Sequence, residues 1–96
     1  MISNDKVRFN ILKILYDDFH RDSYSFGMSR AEVKELLKVP DAFMDSNVFY
    51  LQDKGLIHIM RIAGGAWTTA KIIAFGIDVI EDKEKYKDAF PFVMMH

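Results

Sequence analysis

The chain has 96 residues, half of them apolar and 28% charged, with a formal net charge of −1 and no cysteine. That composition describes one domain around a single core, and it excludes a disordered tract, a disulfide scaffold and a cysteine-based zinc centre. No apolar run approaches the roughly 18 residues of a membrane helix, and Met1–Asp5 lacks the basic start and apolar stretch of a secretory leader, so a cytoplasmic protein without membrane contact is expected. The near-zero charge also removes the simplest argument for a nucleic-acid partner, because phosphate binding rests on clustered Lys and Arg.

In chain order, the spacing of Val7, Ile11, Leu15 and Phe19, widened by Leu12 and Ile14, predicts an amphipathic helix from about Asp5 to His20, capped by Asn4 or Asp5. Tyr24 to Met28 is short and rich in aromatic residues and reads as an edge strand. Ser29-Arg30-Ala31-Glu32 is a capping box that opens a second helix with Val33, Leu36 and Leu37 inward. Pro40 cannot continue that helix and suits the first turn of the next, which runs to about Lys54 with Met44, Val48 and Leu51 as its core face. Two short helices joined by a tight turn form a helix-turn-helix. Gly55 stands where a helix end favours positive φ, with Lys54 at the negative end of the dipole.

Leu56–Ile62 and Trp67–Ile73 then read as a β-hairpin around Ala63–Ala66, tipped by Gly64 and Gly65. With Ile62 opposite Trp67, alternation puts Ile57, Ile59, Ala70 and Ile72 on the core face. It puts His58, Met60, Ile62, Trp67, Thr69 and Lys71 on the other. A last helix is expected over Ala74–Lys85 with Ile77 and Ile80 inward. The tail Phe90–Met95 is apolar and carries no helix signal.

The stretch Tyr50-Leu51-Gln52-Asp53-Lys54-Gly55-Leu56-Ile57 resembles the recognition-helix ending of the winged-helix superfamily of transcription regulators. Ala70–Asp82 is similar to its wing strand entering the last helix, with Ile73 where a Thr is usual. Glu84–Pro91 resembles the ending of small stand-alone members from archaea, bacteria and phages. The resemblance covers about residues 5 to 88 and implies an α+β fold: a winged helix-turn-helix with a three-helix core, a two- or three-stranded β-hairpin wing and a C-terminal helix. Residues 1–96 form a single winged-helix domain, with 89–96 as its apolar tail. A superfamily with these members implies double-stranded DNA as partner, though it also includes members that bind only proteins.

In a DNA-binding member the helix before Gly55 enters the major groove. Ser46, Asn47, Phe49 and Tyr50 are then the candidates for base contact. Arg30, Lys34 and Lys38 on the preceding helix, with Lys54, Arg61 and Lys71, are the candidates for phosphate. Against this stand Asp41, Asp45 and Asp53 on the same helix, whose carboxylates repel phosphate. Arg30, Lys34 and Lys38 also read as one side of an ordinary solvated helix.

Met60, Ile62 and Trp67 on the outward hairpin face, with Phe90 and Phe92 in the tail, are expected to form a homodimer interface. The competing arrangement folds the tail back over the hairpin or first helix. Asp17, Asp18, His20 and Asp22 cluster oxygen and imidazole groups but read as a solvated helix end, so no metal is expected. Nothing in the chain suggests a catalytic arrangement or a cofactor. The expected function is a dimeric DNA-binding transcription regulator; the alternative is a winged-helix interaction module that does not bind DNA.

Overall fold

The computed structural model describes residues 3–95. It is a mixed α+β structure. Helices α1 (Asn4–Arg21), α2 (Arg30–Leu37) and α3 (Asp41–Asp53) precede the hairpin strands β2 (Ile57–Arg61) and β3 (Trp67–Ile72). A two-residue strand, β1 (Met28–Ser29), precedes α2. Helices α4 (Ala74–Glu81) and α5 (Lys83–Tyr86) and a 3-10 turn (Pro91–Met94) complete the chain. The sheet is antiparallel in the order β1-β3-β2. No helix among the described residues is long and apolar enough to cross a membrane.

Local chemistry accounts for most boundaries. The hydroxyl of Ser3, rather than Asn4 or Asp5, accepts from the Lys6 N–H at 3.1 Å and starts α1. The Ser29–Glu32 capping box starts α2, with both reciprocal bonds at 3.1 Å. At the end of α3, Gly55 has φ +76°. Its N–H donates to the Gln52 carbonyl and the Leu56 N–H donates to that of Leu51, each at 3.0 Å. This is a Schellman ending, sealed by Leu51 and Leu56, both fully buried.

The core faces of α1, α3 and the regular part of the sheet agree with their periodicity. Val7, Ile11, Leu12 and Leu15 of α1 are buried with Val33, Met44, Val48 and Leu51, and with Ile57, Ile59, Ala70 and Ile72 of the sheet. Leu36 departs from its expectation: it points outward and is 59% exposed. The expected strand over Tyr24–Met28 shortens to Met28–Ser29, leaving Tyr24 and Phe26 in an exposed loop. The last helix breaks at Asp82, whose φ −126° and ψ 64° are not helical.

Two expectations for the dimer interface are corrected. The first concerns Trp67. Met60 pairs with Thr69 but Arg61 pairs with Trp67, so Thr68 is an extra residue in β3. A bulge of one residue reverses the facing of everything beyond it. Trp67 therefore turns to the core side and is 1% exposed, and Arg61 rather than Ile62 lies opposite it.

The second concerns the tail. Phe90 and Phe92 are buried, at 7% and 1%, because Pro91–Met94 turns back onto α1. Phe92 meets Tyr50 edge-on at 6.5 Å and Phe90 at 6.0 Å, and Phe90 meets Phe75 at 5.9 Å. These three side chains belong to the protein's own core and cannot face a second copy. Met60 and Ile62 do remain exposed.

Phe92→Ala should therefore lower unfolding stability by about 3–5 kcal/mol, the cost of a large ring lost from a core. Ile62→Ser, at an exposed position, should stay within about 0.5 kcal/mol. Urea unfolding of both variants, followed by the fluorescence of Trp67, checks the pair.

Candidate nucleic-acid interface

The outward stripe of α3 runs through the exposed Ala42, Ser46 and Asp53 and the half-buried Phe49, at spacings that keep to one side of a helix. Its acidic neighbours are not free. Asp45 takes two bonds from Arg30 of α2, Nε to Oδ1 at 3.1 Å and Nη2 to Oδ2 at 2.8 Å. The Trp67 indole N–H also donates to its Oδ1, at 2.8 Å. Hydrogen bonding from Arg30 leads the lowering of the Asp45 carboxyl below its ordinary range; partial burial opposes it and the Trp67 bond adds to it. The same bonding raises Arg30. Asp41 is paired with Lys34 and lies 3.8 Å from Arg30. Asp53 is left as the α3 carboxylate without an ion pair among the described residues.

This pairing sorts the candidate phosphate contacts. Arg30 and Lys34 are committed to the α2–α3 junction. Lys38, Lys54 and Arg61 are exposed and have no carboxylate partner among the described residues. They flank α3: Lys38 before its start, Lys54 at its end and Arg61 on the hairpin. Arg61 lies 4.8 Å over the Phe49 ring and donates from Nε and Nη2 to the Gly65 carbonyl at 3.3 and 3.2 Å. Lys54 stands 5.6 Å from the Tyr50 ring. Lys71 is not with them. It lies on the sheet face turned away from the core, among Phe19, His58, Thr69 and Ile77, with no α3 residue beside it.

The candidate base contacts divide as well. Ser46 is exposed, its hydroxyl donating to the Phe43 carbonyl at 3.2 Å. Phe49 and Tyr50 are half-buried. Asn47 is corrected: it is 1% exposed and cannot reach a base. Its Oδ1 accepts from Arg8 Nε at 2.9 Å, and its Nδ2 donates to Asn4 Oδ1 at 3.1 Å and to the Phe43 carbonyl at 2.9 Å. Gln52 is partly spent too, since its Oε1 accepts from the Ile59 N–H at 2.9 Å and closes part of the open edge of β2. The hairpin tip at Gly64 and Gly65 carries no charge; Gly64 has φ +71° and Gly65 donates to the Ile62 carbonyl at 2.8 Å.

Two residues that sequence reasoning passes over organise the site. Asp45, read as an obstacle to phosphate, joins α2, α3 and β3. Arg8 of α1 lies 3.6 Å over the Tyr50 ring and, with Asn47, fixes α1 to α3. The i, i+3 pair of Asp5 and Arg8 is visible in the sequence, but nothing there shows Arg8 reaching α3.

Comparison with protein-family models, with curated proteins and with solved structures gives no significant match.

Asp45→Asn should cost about 2 kcal/mol at pH 7, since it removes charge-assisted bonds and leaves Arg30 without its nearest counter-charge. The pH dependence has a definite sign. The folded Asp45 is more acidic than the unfolded one, so its contribution is complete above the unfolded value of about 3.9 and fades as pH falls through the folded value. Urea unfolding at neutral pH and near pH 3 should show the gap between parent and variant narrowing in acid.

Proposed function

We propose that the chain is a winged helix-turn-helix protein that binds double-stranded DNA and acts as a transcription regulator. In this reading α3 enters the major groove and the β2–β3 hairpin is the wing. The observation that carries it is the internal discharge of α3. Arg30 and Lys34 neutralise Asp45 and Asp41, while Lys38, Lys54 and Arg61 stay without carboxylate partners around the exposed stripe. A helix that looks acidic in sequence thus presents Ala42, Ser46 and Phe49 between cations, with Asp53 as its remaining unpaired carboxylate among the described residues. Ala42 and Ser46 are small enough to let the helix sit deep. Ala42 and Phe49 suit thymine methyl groups and Ser46 a base edge.

Lys38 adds an independent support. It ends α2 in the left-handed region, at φ 56° and ψ 47°, where Gly or Asn is favoured and another residue costs about 1 kcal/mol. Strain of this kind, held at an exposed cation beside the start of α3, fits a functional charge.

Three phosphate contacts imply an affinity falling with salt at a log–log slope of about −3. Fluorescence anisotropy on mixed duplex DNA between about 50 and 200 mM salt measures it. Lys54→Gln and Arg61→Gln should each flatten the slope by about one and leave the melting temperature unchanged. Lys38→Gly should weaken DNA binding and yet stabilise the fold by about 0.5 kcal/mol, the left-handed penalty less the entropy that glycine adds to the unfolded chain. Absence of salt-sensitive binding even near about 50 mM salt, where phosphate contacts are strongest, sinks the reading.

A second reading, an interaction module that pairs with another protein or with itself, is favoured by the exposure of Met60 and Ile62, at 59% and 66%. It expects self-association in light scattering that Met60→Ser with Ile62→Ser abolishes. A chain that stays monomeric at millimolar concentration removes the self-pairing form.

A further inference from the structure

The sheet has a second face. On the side turned away from the core, the register sets His58 opposite Lys71 and Met60 opposite Thr69. These four form the floor of an open groove of about 450 Å³, walled by Phe19 of α1, by Phe26 and by Ile77 of α4. That volume lies in the range of small-ligand sites.

The walls are apolar, and Phe26 is left 92% exposed and Met60 59% exposed. The wall at Phe26 depends on a close backbone approach. Gly27 has φ +113°, and a Cβ there would stand 2.5 Å from the Ala70 carbonyl oxygen, so only glycine lets this segment lie against β3 beside Lys71.

The floor is different. The Lys71 ammonium, the His58 imidazole and the Thr69 hydroxyl have no hydrogen-bond or ion-pair partner among the described residues. No Asp or Glu lines the groove. Arg8, Lys13, Arg21, Arg30, Lys34 and Lys87 each hold a carboxylate, and Lys38, Lys54, Arg61 and Lys85, which hold none among the described residues, are exposed to water. Lys71 is half-buried in an apolar setting and has none.

From this charge complementarity we infer that the groove binds a small amphipathic carboxylate. Its apolar body lies between Phe19, Phe26, Met60 and Ile77. Its carboxylate meets the Lys71 ammonium, with the His58 N–H and the Thr69 hydroxyl as further donors. One ammonium and two further donors match a single negative charge spread over two oxygens. The inference does not depend on whether α3 meets DNA.

Octanoate and octanol share a tail and differ in charge, so the full chain is titrated with each while backbone amide shifts are followed by NMR. Octanoate should give saturable shifts confined to the residues that line the groove and bind about tenfold more tightly than octanol, the worth of one charge-assisted contact. Lys71→Gln should bring octanoate down to the octanol level with an unchanged melting temperature. Phe26→Ser, at an exposed position, should weaken both probes alike. Equal affinity for the two probes, undiminished octanoate binding in Lys71→Gln, or shifts that spread without saturation to Tyr24, Ile62 and Met94 would each overturn the assignment.

Discussion

The structure depends most on one carboxylate. Asp45 sits in the middle of α3, partly withdrawn from water, and accepts from Arg30 of α2 and from the indole of Trp67 at the start of β3. The consecutive helices α2 and α3 and the more distant strand β3 therefore meet at one pair of oxygens. Charge-assisted bonds are shorter and stronger than neutral ones, and here they fix directions as well as distances. The α2–α3 turn contains Val39 and Pro40 and has few bonds of its own, so Arg30 with Asp45, and Lys34 with Asp41, supply much of the polar hold between the two helices. Trp67 adds the hairpin to the same assembly and buries its ring in the process.

The bulge at Thr68 is what makes this possible. In a regular hairpin Trp67 would face away from the core, and its indole N–H could not meet α3. One extra residue in β3 reverses it, while Arg61, on the same face as Ile57 and Ile59 by alternation along β2, lies over Phe49. The Gln52 amide, bonded to the Ile59 N–H, is a third link between α3 and β2. The hairpin is thus anchored along its base, while its tip at Gly64 and Gly65 stands free of α3.

Much of the α+β fold was legible in the sequence because its signals are local. The four-residue spacing of α1, the Ser29–Glu32 box, the Pro40 break and the Gly55 ending each act within one helix turn, and each holds. The core faces of α3 and of the regular part of the sheet follow from period alone. What escaped was non-local. A bulge leaves no composition mark, so alternation carried Trp67 to the wrong face. The tail lacks periodicity, and only α1 and Tyr50 in three dimensions decide where Phe92 goes. Asn47 reads as a surface amide until Arg8 and Asn4 are seen to satisfy it. Among the candidate cations, nothing local shows which are paired: Arg30 and Lys34 meet carboxylates of α3, whereas Lys38, Lys54 and Arg61 do not.

That distinction bears on how charge in a small domain should be read. Net charge adds all groups equally, whereas a partner meets only those that the fold leaves unanswered. In this chain Arg30 and Lys34 of α2 cancel Asp45 and Asp41 of α3, and the formal charge of −1 does not show where the other charges lie. Two sets of cations without carboxylate partners among the described residues are separated by the sheet. Arg61 lies on the α3 side with Lys38 and Lys54 beyond it. Lys71 lies on the opposite face, in an apolar groove with His58 and Thr69. The first group is spread along a helix and open to water, as an extended polyanion requires. The second is single, half-buried and ringed by aromatic and aliphatic walls, as a small amphipathic anion requires. Because the two groups sit on the two faces of one hairpin, a ligand on Lys71 and a duplex on Arg61 would not compete for space. Any influence of one on the other would have to pass through the strands, and the Thr68 bulge, between Trp67 and Thr69, is the place where both faces are set.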